Sequence, residues 1–509
     1  MFSKVYSMGL FGMNAFMVEV EIDLSSGLPR FDIVGLPDSS VNESRERVRS
    51  AVKNCDLDFP VSRITVNLAP ADFKKEGPIY DLPILIALLL ASKQLSFKTD
   101  GCAFLGEVSL SGEVRRINGV LPMVIKAKEF GIKNIFLPFD NIAEASVVEG
   151  INVFPVKHIK ELISHLSGQS LIEPCFAKNF DEYEDDFLLP DFCEVKGQFE
   201  AKRALEVAAS GGHNVMMIGP PGSGKSMLAK RIPSILPDMT FEEAIETTQV
   251  YSVAGALKSG TTLIKQRPFR SPHHTVSPAG LSGGGAIPKP GEISLSHNGV
   301  LFLDELPEFS RSSMETLRQP IEDGTITISR AAGTLSYPCC VMLICAMNPC
   351  PCGFFGHPTR PCTCPNGAAS KYLSRVSGPL LDRLDIHIEV EPVEFDQLSD
   401  KSRGEKSDSI RQRVNDARKI QRTRFANTDI TCNARMTSSM VREFCILTPT
   451  AKKILKDAFE NLGMSARAYD KVLKIALTIA DLDKSDIIDT KHIAEAIQYR
   501  SLDRKFWKE

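Results

Sequence analysis

The 509-residue chain has almost no net charge: 60 lysines and arginines stand against 63 acids, a formal balance of −3. That excludes a global positive field as the means of holding nucleic acid, so any such contact must come from a local basic surface such as a pore or groove. Long apolar runs are also lacking. The most apolar stretch, Pro83–Ala91, is about half of the ~20 residues that a membrane-spanning helix needs. It is expected to be a buried helix, with no membrane partner. Met1–Val18 carries only Lys4 as a basic residue and has glycines within its apolar part, unlike a secretory signal. The 13 cysteines are odd in number and scattered, which argues against a disulfide framework and points to a reducing cytoplasm. Internal repeats and low-complexity tracts are absent.

With 43% hydrophobic and 24% charged residues the composition is that of a soluble globular protein, too long for one hydrophobic core. Residues 1–167 mix β-rich segments, such as Phe16–Ile22 and Ile64–Leu68, with helical ones. The acids Asp181, Glu182, Glu184, Asp185 and Asp186 mark a solvated linker over 168–191. An α/β pattern follows over 192–395: a helix at Gly197–Ala209, a strand at Asn214–Ile218, a glycine loop, a second helix, and strands at Val300–Leu303 and Val341–Ala346. A polar stretch, 396–408, leads into a helical region, 409–509, where Val472, Ile475, Ala476 and Ile479 recur at helical spacing.

The chemistry concentrates in the middle region. Gly219, Pro220, Pro221, Gly222, Ser223, Gly224, Lys225 and Ser226 form a complete phosphate-binding loop between an apolar strand and a helix. Glycines let the loop N–H groups converge on phosphate oxygens, and the helix N-terminus adds a favourable dipole. Lys225 is expected on the β- and γ-phosphates of ATP, and the Ser226 hydroxyl on Mg²⁺. Val300–Leu303 ends in Asp304 and Glu305, as a buried strand presenting carboxylates at its C-terminal edge would. Asp304 is expected to hold Mg²⁺, and Glu305 to polarise the attacking water.

Pro268–Thr275, Gly283–Gly285, Pro290–Ser294 and Gly299–Phe309 resemble the magnesium-chelatase branch of AAA+ ATPases. The N-terminal region and a cysteine-bearing insert narrow the resemblance to the bacterial ComM/YifB family of Mg-chelatase-like ATPases, over nearly the whole chain. The resemblance implies a multidomain α/β and α+β fold: a Lon-protease-like N-terminal domain, a P-loop AAA+ core and a C-terminal helical lid. It assigns Asn348 to the sensor-1 position, Arg383 to an arginine finger acting on a neighbouring subunit, and Arg467 to the sensor-2 position. Arginine at such places stabilises charge on the transferring phosphoryl oxygens. An active site shared between subunits makes a ring the simplest closed homo-oligomer, and the family implies a hexamer.

Gly324–Arg330 and Thr334–Tyr337 read as a β-hairpin around Ala331-Ala332-Gly333. In related motors the equivalent hairpin projects into the ring pore, which makes Arg330 the leading candidate for contact with the DNA backbone; the alternative is a solvated hairpin arginine. His273 and His274 read either as metal ligands or as loop residues. Cys350, Cys352, Cys362 and Cys364 form C-x-C-x₉-C-x-C within 350–364, which suits a structural zinc ion; the alternative is a set of reduced, unliganded thiols. His357 reads as a bystander, and Cys339, Cys340 and Cys345 as small hydrophobes.

In the N-terminal region, Phe104–Val114, Arg116–Gly119 and Gly131–Ile135 resemble the proteolytic domain of Lon-type proteases. Ile79 and Leu121 stand where that family has its serine and lysine, so no peptidase activity is expected, although Lys126 and Lys128 lie near. The family resemblance implies a ring-forming, ATP-dependent DNA helicase that drives branch migration in recombination or natural transformation. The alternative is a remodelling or metal-chelatase-type accessory ATPase acting on a protein partner.

Overall fold

The computed structural model describes residues 1–177, 180, 189–285, 288–330, 333–357, 359–393 and 404–500, with Arg330 described by its backbone alone. The acidic run 181–186, Ala331, Ala332 and most of 396–408 lie outside the described residues. Two compact units are present: Met1–Asp185 with Phe241–Ile264 and Ser329–Tyr337, and Asp186–Thr240 with Lys265–Ile328 and Pro338–Glu509.

Alternating apolar residues build the sheet of the first unit. Its strands lie in the order Arg30–Val34, Arg63–Ala69, Asn14–Ser25, Phe2–Phe11, Cys102–Phe104, Asn134–Pro138, Asn152–Val156. Register brings Val5 opposite Val20 and Val20 opposite Leu68, all three fully buried, so the period of two along each strand becomes one continuous apolar face. The apolar stretch flagged in the sequence is the helix Asp81–Ala91, buried along nearly its whole length. Its first residue, Asp81, accepts two hydrogen bonds from Arg47 at 2.6 and 3.0 Å and one from the Val108 N–H at 3.2 Å. Ile79 and Leu121 are both buried among aliphatic neighbours and offer neither nucleophile nor base. Lys126 pairs with Glu129 at 2.6 Å.

The helix Phe241–Ala254 falls within the stretch that sequence analysis assigns to the α/β region, yet it packs in the first unit. Its Ser252 hydroxyl donates to the buried Glu144 carboxylate, its Ser252 carbonyl accepts from Gly119 at 3.0 Å, and the Leu257 carbonyl just beyond it accepts from Arg116 at 2.5 Å. A buried carboxylate needs such donors, which ties the helix to this core.

In the second unit five parallel strands lie in the order Phe269–Arg270, Val300–Leu303, Met342–Met347, Val215–Ile218, Ile386–Glu389. The central three are buried throughout, as near-continuous apolar runs in a parallel sheet require. The helix Phe199–Gly211 starts later than Gly197, because Gly197 and Gln198 adopt left-handed backbone (φ 60° and 56°). It stops at the left-handed Gly212 (φ 72°). The C-terminal part holds the helices Ser407–Arg424, Ser438–Phe444, Pro449–Leu462, Ala466–Leu482 and Thr490–Gln498. Among the described residues no helix is long and apolar enough to cross a membrane.

Candidate nucleotide site and thiolate cluster

Parallel strands deliver their C-terminal ends to one edge of the sheet, and the expected site residues collect there. Val215–Ile218 runs into the glycine loop, Val300–Leu303 into Asp304 and Glu305, and Met342–Met347 into Asn348. Pairing of Ile218 with Met347, and of Leu303 with Cys345, sets the three ends side by side. Lys225 and Ser226 open the helix Lys225–Arg231.

The Lys225 ammonium donates to the loop's own carbonyls, Gly219 O at 2.7 Å and Pro220 O at 2.9 Å, and to Asn348 Oδ1 at 3.2 Å. The Ser226 hydroxyl donates to Asp304 Oδ2 at 2.5 Å. Side chains suited to phosphate and to a hard divalent cation therefore hold one another. Gly222 and Gly224 have positive φ (79° and 94°), and a Cβ on either would meet no atom within 4 Å. The loop is thus open on the side of these two glycines. The residues present fit Mg²⁺·ATP: the loop N–H groups and Lys225 would hold the phosphates, and Ser226 and Asp304 the ion, which supplies charge neutralisation when bound.

Glu305 differs from its neighbour. Its backbone is left-handed (φ 53°), an uncommon state for a non-glycine residue and one that clusters at functional sites. Its carboxylate faces His274 Nδ1 at 3.5 Å. His273 packs against His274 with the rings tilted 34° and their centroids 4.0 Å apart, and it bonds the Thr275 hydroxyl at 2.9 Å. Among the described residues neither histidine belongs to a metal-type cluster. A cleft of about 340 Å³, a size within the usual range for ligand sites, is lined by Glu305, Glu308, Asn348, Pro351, Tyr372 and Arg375, and Asn348 links it to Lys225.

Sequence reasoning missed Gln198. Its side-chain amide donates to Ser223 O at 3.1 Å and to Glu391 O at 2.6 Å, bracing the phosphate loop from outside. Only its position after a glycine hinted at an unusual backbone, and no motif names it.

The two other arginines are linked through one segment, 382–383. Arg383 is held by Glu322 at 2.7 Å and donates to the carbonyls of Arg318 (2.9 Å) and Pro379 (2.6 Å). Arg467, at the start of the helix Ala466–Leu482, has an exposed side chain whose ionic partner is Asp382 at 3.8 Å. Asp382 directly precedes Arg383. Among the described residues no hydrogen bond or ion pair joins either arginine to Lys225, Ser226, Asp304 or Glu305.

Cys350, Cys352, Cys362 and Cys364 converge, with their sulfurs all within 4.8 Å of one another. Cys350 lies 3.3 Å from Cys352 and 3.7 Å from Cys362, and Cys352 lies 3.5 Å from Cys362. A tetrahedral site with Zn–S bonds near 2.3 Å has sulfur–sulfur edges of about 3.8 Å, and the three separations among Cys350, Cys352 and Cys362 lie within about 0.5 Å of that. Backbone N–H groups of Phe354 and Thr363 draw the Cys352 thiol down toward the thiolate a metal needs, while burial and the neighbouring sulfurs raise Cys362 and Cys364, so the cluster gives up its first proton at Cys352. His357 accepts instead from the Thr359 and Arg360 N–H groups at 3.2 and 3.1 Å and stays out of the cluster. Cys339 and Cys345 are fully buried in apolar surroundings, which pushes Cys339 up to about 12.

Three family profiles match along the chain: magnesium chelatase, subunit ChlI, over residues 191–398; subunit ChlI of Mg-chelatase over 20–141; and the ChlI C-terminal region over 404–500. The chain is 43% identical to the uncharacterized protein YifB of Escherichia coli K12 over 506 residues, covering 99% of this chain and 97% of that one. It is 42% identical to the competence protein ComM of Haemophilus influenzae over 510 residues, covering 99% and 98%. The chain belongs to the ComM/YifB family of Mg-chelatase-like proteins. A shorter match, 29% over 106 residues, links 20% of the chain to 14% of the Lon protease of Buchnera aphidicola. Membership of a ComM/YifB family with Mg-chelatase-like AAA+ character implies ATP and Mg²⁺ as cofactors, in keeping with the loop geometry.

Burial lowers the Lys225 ammonium to about 8, against the opposing pull of Asp304. Only the protonated form attracts phosphate. ATP affinity is therefore expected to be full well below pH 8 and to fall as pH rises through it, by up to about tenfold per unit. Titration of a non-hydrolysable ATP analogue between about pH 7.5 and 9.5 checks this, and a flat profile would contradict it.

Proposed function

We propose that this protein is a ring-forming, ATP-dependent DNA motor, a helicase that drives branch migration in homologous recombination or natural transformation in the cytoplasm. The observation that carries the reading is full-length similarity to a competence protein, combined with a loop, acid pair and asparagine arranged for hydrolysis. In the proposed mechanism Lys225 grips the β- and γ-phosphates, and Ser226 and Asp304 hold the cation. Glu305 accepts a proton from the attacking water while Asn348 orients it. Arg383, with Arg467 held at the adjacent Asp382, reaches a neighbouring subunit's nucleotide, which makes a closed ring, a hexamer in this reading, the working unit. The two-stranded hairpin Thr325–Arg330 and Gly333–Pro338 carries Arg330 at the end of its first strand, where it would meet the phosphate backbone in the pore. The C-terminal helices act as the lid, and one zinc ion holds the cysteine insert.

A second reading rests on the Mg-chelatase profiles themselves: an accessory or remodelling ATPase acting on a protein partner. The two separate on one measurement. A DNA motor is expected to hydrolyse ATP faster with single-stranded or forked DNA, with stimulation falling steeply as salt rises. Lys225→Ala should abolish junction migration while DNA binding remains. Turnover that ignores DNA at low salt but responds to a protein partner would reject the motor.

A further inference from the structure

The cysteine insert is attached to the nucleotide site at more than one point. Cys350 follows Asn348 by two residues, and Asn348 receives the Lys225 ammonium at 3.2 Å. Pro351 lines the same cleft as Glu305 and Asn348. Gly353 is pressed against the phosphate loop: a Cβ there would come 2.3 Å from Cδ of Pro221, in a left-handed backbone with φ 84°. The insert's first turn therefore touches both the loop that would hold phosphate and the asparagine that would orient water.

Little else holds that turn in place. Of the described residues in 350–364 only Cys350 and Gly353 are buried, so the segment has no apolar core of its own. A segment of this kind is ordered by cross-links or a metal rather than by hydrophobic burial. The cross-link on offer is the thiol cluster, in which Cys362 and Cys364 reach back to Cys350 and Cys352. The Phe355 N–H donates to Cys350 Sγ at 3.3 Å, the type of outer contact that orients a metal-bound thiolate.

We propose that Cys350, Cys352, Cys362 and Cys364 bind one soft divalent cation, Zn²⁺, and that this ion sets the rate of ATP hydrolysis by fixing Asn348 and Pro221. The inference rests on the hydrolysis reading above. The ion takes no part in the chemistry: it ties the distal pair of cysteines to the proximal pair, and the proximal pair holds Pro351 and Gly353 in register with the phosphate loop. Gly353 is a positioning residue in this scheme. Loss of the ion should lower kcat by a far larger factor than it weakens nucleotide binding, because Lys225 keeps its bonds to Gly219 and Pro220 and Gln198 still braces the loop at Ser223.

The test uses the full chain and the variant Cys362→Ser/Cys364→Ser, whose changes lie in the distal pair. Metal analysis is expected to find one zinc per wild-type chain and none in the variant. Binding of a fluorescent ATP analogue should stay within about threefold of wild type while kcat falls about 10–100-fold. Stripping zinc from the wild type with a chelator, then restoring Mg²⁺ alone, should reproduce the loss, and added Zn²⁺ should rescue the wild type but not the variant. Gly353→Ala gives a check that does not remove the ligands: it should keep its zinc and lose more in kcat than in ATP affinity. Equal zinc content in wild type and double variant would overturn the site. Zinc loss with unchanged kcat, or a Gly353→Ala protein with wild-type kcat, would overturn the coupling. A double variant that loses ATP binding together with kcat would show a folding role instead and also overturn the coupling. Zinc-loaded wild type without basal turnover would overturn the hydrolysis reading on which the coupling stands, whereas turnover indifferent to DNA would overturn only the motor.

Discussion

Glu305→Gln is expected to reduce ATP turnover by roughly 10²–10⁴-fold, the usual contribution of a positioned general base, with ATP binding left intact. Two adjacent carboxylates end the same strand, and their surroundings give them separate tasks. Asp304 is engaged by the Ser226 hydroxyl at 2.5 Å and by the Glu305 N–H at 3.0 Å, so its oxygens are committed to the loop and to a cation there. Glu305 has a left-handed backbone and lines the cleft beside Asn348, where among the described residues its ionic neighbour is His274. It is the carboxylate free to accept a proton from water. Glutamine keeps its shape and its hydrogen-bonding capacity but has no basic oxygen of comparable strength. A general-base role therefore predicts a defect in kcat alone, whereas a purely structural role predicts a defect in stability or in binding. Single-turnover hydrolysis and analogue binding, measured on one preparation, separate the outcomes. Turnover within about threefold of wild type would remove Glu305 from the mechanism.

The parts of this site that were legible in the sequence depend on short stretches of chain. A phosphate loop is built by closely spaced glycines between a strand and a helix, and an acid pair is presented by the four apolar residues before it. What could not be read depends on where distant segments meet. Nothing in the spacing of residues 241–254 separates a helix of the α/β region from one that supplies Ser252 to Glu144, because that choice is made by a buried carboxylate about a hundred positions away. Gln198 bracing Ser223, His274 facing Glu305 and Gly353 pressed on Pro221 are likewise long-range contacts. The four cysteines fall between these cases: their pattern suggested a ligand set, but only the fold brings the second pair to the first, and the insert to the phosphate loop.

Replacing Arg383 with alanine is expected to lower turnover by about 10³–10⁵-fold if it serves as an arginine finger, again without loss of ATP binding. The same loss could follow from damage to its own subunit, since Arg383 ties Glu322 to the carbonyls of Arg318 and Pro379. Mixing two inactive proteins tells these apart. Arg383→Ala subunits retain Glu305, and Glu305→Gln subunits retain Arg383. In a randomly mixed ring about one interface in four pairs an intact Glu305 with an intact Arg383 from its neighbour, because each subunit contributes a different half of the head-to-tail contact. Turnover should then recover to about a quarter of the wild-type rate if interfaces act independently, and to less if they are coupled. A residue acting inside its own subunit yields no recovery at any mixing ratio, since every chain lacks one of the two groups. Arg467 extends the same test. It lies beside Asp382 on the segment that carries Arg383, so an Arg467→Ala protein should be complemented by Glu305→Gln subunits and not by Arg383→Ala ones. That pattern would place both arginines on the face that each subunit turns toward its neighbour's nucleotide, and recovery with Arg383→Ala instead would separate them.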